Sequence, residues 1–458
     1  MATFVRSSLM PVPAAQLADW HFRAGAIDRL IPPWESVEIL ERPGAMADGA
    51  VARFRMRKFG ASIEWVARHR DVRPGRSFRD VQERGPFRSW DHRHEFLPKD
   101  DATSMLEDRV EYELPGGIVG RAFGGGMVAR DLERMFTWRH ARTRHDLSHH
   151  ARFPGERLRV AVSGTGGLVG GALVPFLTTG GHDVRRIVRG RADAARGDVA
   201  WDTGSNAFDA NALEGLDAVV HLAGAGIADA RWTDARKREI RDSRVLPTEA
   251  LARTLAGLRR PPRVLVSASA VGWYGDRPAP GRVDESSARG DGYLADVCDA
   301  WERAAEPARQ AGIRVVHVRI GIVLSARGGA LAKLLPPFRM GLGGATGSGE
   351  QGMPWIDLDD LLGVLRLAMS ADVHGPLNAV APGAPSNREF GRTLGRVLGR
   401  PAVAPLPAAA VKAMFGEMGE RLLLEGAYVQ PTRLESLGFR WALPDLEHAF
   451  RFETGTFE

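Results

Sequence analysis

Apolar and polar residues alternate through the first 150 positions of the chain. Phe4 to Pro11 alternates as a strand would, and Ala14 to His21 has the spacing of a short helix. Val51 to Phe59, Ser62 to Val72, Ser77 to Arg84, Arg88 to Leu97 and Ser104 to Leu114 repeat the period-two pattern. Turn residues separate them at Arg73-Pro74-Gly75, Gly85-Pro86 and Pro98 to Asp101. Strands with one apolar and one wet face, joined by tight turns, predict an antiparallel meander. An amphipathic helix, about Val128 to His149, closes the segment. A curved sheet on a long C-terminal helix is a helix-grip arrangement, an α+β fold expected to keep an apolar cavity between sheet and helix.

The pattern changes after Ala151 to Glu156, where Pro154-Gly155 marks a linker. Arg159 to Ser163 is a short β-branched run. It enters Gly164, Gly167 and Gly170, and a helical pattern from Leu168 to Thr178 ends near Gly180-Gly181. His182 to Arg189, a short strand ending at Trp201-Asp202, Asp217 to Leu222 and Arg263 to Ser269 are further strands. Helical stretches lie between and beyond them, at Asp234 to Leu258 and Tyr293 to Ala311. The alternation predicts an α/β, doubly wound parallel sheet. Ile313 to Leu324 reads as a strand and turn, Leu331 to Met340 as a helix, and Gly341 to Gly352 as a loop. Trp355-Ile356-Asp357 reads as the start of a helix through Met369. Asn387 to Leu398 and Pro407 to Gly426 add helices to a small C-terminal lobe. The expected organisation is multidomain: residues 1–150, 157–385 and 386–458.

Composition narrows the function classes. The chain has 458 residues, is 44% hydrophobic and 26% charged, and has no apolar run long enough for a membrane span. Its N-terminus has no signal-peptide core, and its one cysteine, Cys298, excludes an intrachain disulfide, so a cytoplasmic location is expected. The net charge of +6 comes from scattered arginines with only five lysines, which argues against a nucleic-acid surface.

The glycine turn carries the first candidate chemistry. A strand running through a GxxGxxG turn into a helix lets the backbone approach a pyrophosphate, and the helix N-terminus offers it free N–H groups. Gly164, Thr165, Gly167, Leu168, Val169 and Gly170 are therefore expected to hold a dinucleotide. Small residues after the fourth strand, Leu222-Ala223-Gly224, let the backbone pass close to the same cofactor. At the end of the second strand Arg189 stands where an NAD site carries an acid. Charge-assisted hydrogen bonds from Arg189 to a 2′-phosphate favour NADP over NAD. Asp202 ends the next strand, where an acid meets the adenine.

Two resemblances extend this reading. Gly25-Ala26-Ile27-Asp28-Arg29-Leu30-Ile31-Pro32-Pro33-Trp34, Gly85-Pro86-Phe87, Trp90-Asp91-His92-Arg93-His94, Arg139-His140 and Asp146-Leu147 make the first segment resemble the SRPBCC (START-like, polyketide-cyclase-like) superfamily. That implies a hydrophobic small-molecule ligand; a structural domain with a filled core is the alternative. Ala228 to Thr233, Ser267 to Gly275, Tyr293 to Glu302, Met353 to Asp360 and the tail from Pro405 make the remainder resemble the extended short-chain dehydrogenase/reductases, with a Rossmann fold. More narrowly it resembles the epimerase-family oxidoreductases that carry a SulA-like, cell-division-inhibitor label, a label these residues do not support. The resemblance adds Ser267 and Arg319 to the cofactor side.

The same superfamily works with Ser, Tyr and Lys, the last two spaced YxxxK so that the ammonium lowers the phenol pKa. Here the residues four beyond Tyr112, Tyr274, Tyr293 and Tyr428 are Gly116, Pro278, Val297 and Thr432. Ser269 matches the substrate-side serine, and Tyr274 and Tyr293 are the candidate phenols. Without a nearby cation Tyr274 is expected to stay near ~10, a hydrogen-bond donor and a poor base. Arg244 replaces a helix asparagine, and Asp357 replaces a histidine. Cys298 reads as a buried helix residue. His92, His94, His140, His145, His149 and His150 have no acidic or cysteine partner at a fixed ligand spacing, so they read as solvated or hydrogen-bonded, with no metal. The expected function is an NADP-dependent oxidoreductase or epimerase-like enzyme of a small-molecule substrate. The alternative is an NADP(H)-binding protein with little catalysis, acting as a sensor or ligand-binding module.

Overall fold

A computed structural model describes every residue except Phe59 and Glu458. It divides into two compact units. The first is Met1–Gly155 with the short segment Pro175–Gly181 and the tail from Thr454; the second is Glu156–Val174 with His182–Glu453.

In the first unit the period-two pattern becomes seven strands: β1 (Ala2–Met10), β2 (Ser36–Glu41), β3 (Val51–Lys58), β4 (Ala61–Arg73), β5 (Ser77–Arg84), β6 (Ser89–Pro98) and β7 (Ser104–Glu113). Their order is β1-β7-β6-β5-β4-β3-β2, every pair antiparallel. Strand β2 was not expected, because Ser-Val-Glu-Ile-Leu-Glu is short and only Val37 and Ile39 turn to a half-buried face. The expected strand end at Phe59 lies outside the described residues. Helix α1 (Ala14–Phe22) matches the short helical pattern, and α2 spans Gly117–Ala151, starting earlier than Val128. Gly124-Gly125-Gly126 hid that first part, since three glycines erase an apolar stripe.

The inner sheet face is set by register. Trp90, His92, His94 and Phe96 are buried on β6, opposite Tyr112, Val110, Asp108 and Leu106 of β7. On the other side Asp80 of β5 faces His92, and Phe78 faces His94. Apolar clusters therefore form at both ends of this face. Met10, Leu17, Trp20, Phe78, Phe96 and Leu106 form one, and Trp90, Val110, Tyr112, Leu132 and Phe136 the other. Between them the interior is polar, which corrects the expectation of an apolar cavity. His21, His69, His92, His94 and His140 are all buried, so of the expected solvated or hydrogen-bonded states only the second describes His92, His94 and His140. Burial opposes charge on His94, but Asp108 and Asp80 outweigh it and raise its pKa to about 9. Burial holds His92 down at about 4 and His21 at about 3.

In the second unit, strands β8 (Arg159–Ser163), β9 (Asp183–Arg189), β10 (Val199–Asp202), β11 (Ala207–Phe208), β12 (Ala218–His221), β13 (Val264–Ala270), β15 (Arg314–Ile320) and β18 (Gly375–Ala379) form one sheet. Its order is β11-β10-β9-β8-β12-β13-β15-β18, parallel except for β11. Chain direction across the sheet reverses between β8 and β12, so the strand ends part there into a crevice. Its core packs Ala161, Ile187, Val219, Leu251, Leu255 and Leu265. The helices used below are α3 (Leu168–Thr179), α4 (Asp234–Ala256), α5 (Tyr293–Arg303), α6 (Leu358–Ser370) and α7 (Asn387–Val397). The pattern from Tyr293 to Ala311 breaks after Arg303, and Glu306–Gln310 forms a separate turn of helix led in by Pro307. Trp355–Asp357 is a strand, β17, paired with β16 (Ile322–Leu324), and α6 begins only at Leu358. Asp357 caps that helix: its carboxylate accepts from the Asp359 amide at 2.8 Å. Residues 386–453 do not separate from this unit; β19 (Ala427–Val429) pairs in parallel with β14 (Arg277–Val283).

Candidate functional site

The glycine turn lies at the switch point. Gly164 has φ +72°, and a Cβ there would stand 2.8 Å from the carbonyl of Leu222 and 3.0 Å from the Ala223 amide. A Cβ on Gly170 would stand 2.3 Å from the Gly164 oxygen. Both positions admit only glycine because backbone fills the space beneath the turn. Above it the space is open: a Cβ on Gly166 would meet nothing within 4 Å. The turn is closed by a Gly167 amide donating to the Gly164 carbonyl at 3.0 Å. Thr165, Leu168 and Val169 are half-buried beside it, on the turn and on the first turn of α3. Ser163 ties the two strand ends together. Its hydroxyl lies 2.8 Å from His221 Nδ1 and accepts the Leu222 amide at 3.1 Å. Burial lowers the His221 pKa to about 4, so the imidazole is neutral there. Ala223 is buried, and a Cβ on Gly224 would meet the Arg244 guanidinium at 3.2 Å.

Such a turn fits a dinucleotide pyrophosphate: its floor is backbone and its mouth is open at a helix N-terminus. Arg189 is exposed at the end of β9, whereas Arg186 on the same strand is held by Asp198 at 2.9 and 2.6 Å. Asp202 is exposed and engaged in its own turn, accepting from the Ser205 hydroxyl at 2.6 Å and the Gly204 amide at 2.9 Å. These bonds hold its carboxyl below the usual range. Ser267 is fully buried on β13, between His221 and His317 in register.

Ser269, Tyr274 and Arg319 converge on one network, and its hub is a residue that sequence reasoning did not single out. Glu302, near the end of α5, accepts Ser269 Oγ at 2.7 Å, Arg319 Nε at 2.8 Å and Arg319 Nη2 at 2.9 Å. Arg319 Nη1 donates to Tyr274 Oη at 3.1 Å, and its guanidinium lies 3.5 Å from the Trp273 ring centroid. Tyr274 Oη donates to Asn378 Oδ1 at 2.8 Å, and Asn378 Nδ2 to the Gln430 carbonyl at 2.9 Å. A cation therefore does stand beside Tyr274, contrary to the sequence expectation. Burial nonetheless pushes the phenol up to about 12, so it remains a poor base for a different reason. Burial disfavours the Arg319 cation, but Glu302 outweighs it and raises its pKa. Burial also pushes the Cys298 thiol up to about 12, leaving it inert.

Tyr293 has other partners. Its hydroxyl donates to the Lys237 carbonyl at 2.6 Å, its ring meets Trp232 edge-on at 5.1 Å, and Lys237 Nζ lies 5.1 Å from the ring centroid. The signal that could have found Glu302 is Arg319 itself. An arginine inside Val-Val-His-Val-Arg-Ile, a buried central strand, requires a buried carboxylate partner.

A glycine turn at the switch point of a parallel, doubly wound sheet defines a nucleotide-binding α/β protein. Comparison with known proteins takes this further. A family model described as NAD dependent epimerase/dehydratase family matches residues 160–380. Polyketide cyclase / dehydrase and lipid transport matches 10–141, and a domain of unknown function (DUF1731) matches 406–453. An epimerase family protein of Mycobacterium bovis is 42% identical over 299 residues, 64% of this chain and 97% of that protein. A crystal structure described as the nucleoside-diphosphate sugar epimerase from Corynebacterium glutamicum is 33% identical, covering 99% of this chain and 90% of that one, with a TM-score of 0.80. The human epimerase family protein SDR39U1, crystallised with NADPH, is 38% identical, covers 64% of this chain and 98% of its own, and has a TM-score of 0.59. The chain belongs to the epimerase family of extended short-chain dehydrogenase/reductases, with an N-terminal polyketide-cyclase-like domain.

Proposed function

We propose that this protein is an NADP(H)-dependent oxidoreductase or epimerase-like enzyme acting on a small hydroxyl- or carbonyl-bearing substrate. The observation that carries the reading is the glycine turn, closed beneath by backbone at Gly164 and Gly170 and open above Gly166. Thr165 and the first turn of α3 would face the pyrophosphate, Leu222 to Gly224 would pass beside the cofactor, and Arg189 would hold a 2′-phosphate. The NADPH in the human relative supports that preference. A bound dinucleotide supplies hydride chemistry at its nicotinamide. Arg319 and Tyr274 hold Glu302 and Trp273 in place, and Ser269 presents the hydroxyl nearest the substrate. Glu302, held by both Arg319 bonds, orients the Ser269 hydroxyl in the place that YxxxK leaves vacant. The partners we propose are this substrate and a hydrophobic molecule in the N-terminal unit. We also propose a cytoplasmic location; separately, among the described residues no helix is long and apolar enough to cross a membrane.

A second reading has its own support. Ser269 and Tyr274 are 2% and 0% exposed, and Tyr293 spends its proton on a backbone carbonyl. Such a closed network suits an NADP(H)-binding protein with little turnover. Nicotinamide fluorescence during titration with NADPH and with NADH tests the shared core of both. Tight NADPH and weak NADH binding are expected, with the first lost in Gly164→Asp and weakened in Arg189→Glu. Unchanged binding in Gly164→Asp would remove the cofactor site. Oxidation of NADPH across a panel of carbonyl substrates, together with epimer formation from sugar nucleotides (which consumes no net cofactor), then separates enzyme from binder.

A further inference from the structure

We infer that the interior of the N-terminal unit binds a first-row divalent transition ion, ligated by the Asp80 carboxylate and by one ring nitrogen each of His92 and His94. The placement comes from the sheet. His92 and His94 are two apart on β6, so both imidazoles leave on one face, and Asp80 is the cross-strand partner of His92 on β5. The three donor atoms lie within 4.8 Å of one another. Ligands about 2.0–2.1 Å from a tetrahedral ion stand about 3.4 Å apart, so a pair at the 4.8 Å limit must close by about 1.4 Å. A side-chain torsion supplies that.

A supporting carboxylate is already in position. Asp108, opposite His94 on β7, lies 2.9 Å from His92 Nε2, 2.7 Å from His94 Nδ1 and 2.7 Å from His140 Nε2. Imidazoles that bind metals are held in this way by an outer carboxylate, which fixes ring orientation and raises ligand basicity.

The cluster is also incompletely satisfied. His94 Nδ1 and Asp80 Oδ1 are buried and make no hydrogen bond. Their near neighbours, Asp108 Oδ1 at 2.7 Å and His69 Nε2 at 3.1 Å, lie within hydrogen-bond distance without hydrogen-bond geometry. His69 Nδ1 and His140 Nδ1 have no partner either. A buried polar atom without a partner calls for one, and an ion between Asp80, His92 and His94 would supply it here. The Asp80 side chain is 25% exposed while those of His92 and His94 are 4% and 7% exposed, so the cluster comes nearest to solvent at Asp80. The donor set selects the ion. Two imidazoles and a carboxylate suit Zn2+, Co2+ or Fe2+, whereas Mg2+ and Ca2+ take all-oxygen cages and Cu+ takes sulfur. Three protein ligands leave coordination positions open.

The test uses the full chain, stripped with a chelator and then dialysed against Zn2+ or Co2+. About one equivalent of metal per chain is expected by mass spectrometry, with a Co2+ ligand-field absorption that Zn2+ displaces. His94→Ala and Asp80→Ala should abolish both, and Asp108→Asn should weaken affinity by about 10- to 100-fold. Near-ultraviolet circular dichroism and urea unfolding of the same variants report whether the first unit, which holds the cluster, remains folded. If the variants fail to fold, pulsed electron paramagnetic resonance of the Co2+-loaded natural chain decides by detecting two coordinated imidazoles. A natural chain that takes up neither ion, a Co2+ spectrum without imidazole coupling, or full binding in His94→Ala would each overturn the inference. The first outcome would mean that a proton and water close the cluster.

Discussion

Each unit buries a charged network against its sheet, and the two are completed differently. Around Glu302 every contact is a directed hydrogen bond: a bidentate guanidinium, a hydroxyl, and a phenol that passes its proton to an amide. Around Asp108 and Asp80 two nitrogen–oxygen pairs are close but misdirected, and four buried atoms are left without a bond. The planar fork of arginine saturates a carboxylate, while imidazole offers one nitrogen in each direction and cannot. A network that satisfies itself positions groups. One that does not leaves donor atoms that the inferred ion can take. This difference underlies a positioning role for Arg319 and Tyr274 and a binding role for Asp80, His92 and His94.

The largest effect should come from breaking the completed network. Glu302→Ala leaves the Arg319 guanidinium, only 3% exposed, without its counter-ion. Removing one partner of a buried pair costs about 3–5 kcal/mol. Urea unfolding of the second unit should move to lower denaturant by that amount, and Glu302→Ala with Arg319→Met should recover most of it, since apolar replacement restores a balanced interior. No recovery in the double variant would mean that Glu302 acts through something other than Arg319.

The legible parts of the sequence were those fixed locally. Period-two alternation gave the meander, because each strand must bury one face, and strand–glycine–helix order gave the parallel sheet and its turn. Gly164 was legible because a backbone approach of this kind admits one residue type. What was not legible came from pairings between distant strands. Asp80 and Asp108 are acidic partners of His92 and His94 by sheet register, at no fixed spacing from them, so a spacing rule passed over them. Arg319 reached Tyr274 from a strand 45 residues away, which supplied the cation that the absent lysine had seemed to rule out. The apolar-cavity expectation rested on alternation alone, and alternation records that Trp90, His92, His94 and Phe96 share a face without showing that the middle two are polar neighbours.

An intermediate effect tests a histidine of the second unit, His221, that shares the incompleteness of the first. His221 accepts or donates at Nδ1 but has no partner for Nε2, and its folded pKa is about 4 against 6.5 unfolded. Because the folded state refuses a proton that the unfolded state takes up, the contribution is whole above pH 6.5. It is lost as pH falls from 6.5 through 4, by about 3 kcal/mol in full. Hydrogen exchange of the β8 and β12 amides should show this slope in the natural chain. His221→Asn should flatten it, because asparagine can still meet Ser163 but cannot titrate. Parallel slopes in the two proteins would place the acid sensitivity elsewhere.

The smallest effect should come from Ser269→Ala. It removes one donor from Glu302, which keeps both Arg319 bonds, so stability should fall by only about 1 kcal/mol. Its value lies in what else moves. If Ser269 meets the substrate oxygen, kcat/KM should drop by about a hundredfold or more while NADPH affinity stays put. If the serine merely completes the network around Glu302, the rate should change no more than the stability does. The Glu302 network would then be a support like the salt bridge at its centre, and the binding reading of this protein would gain over the catalytic one.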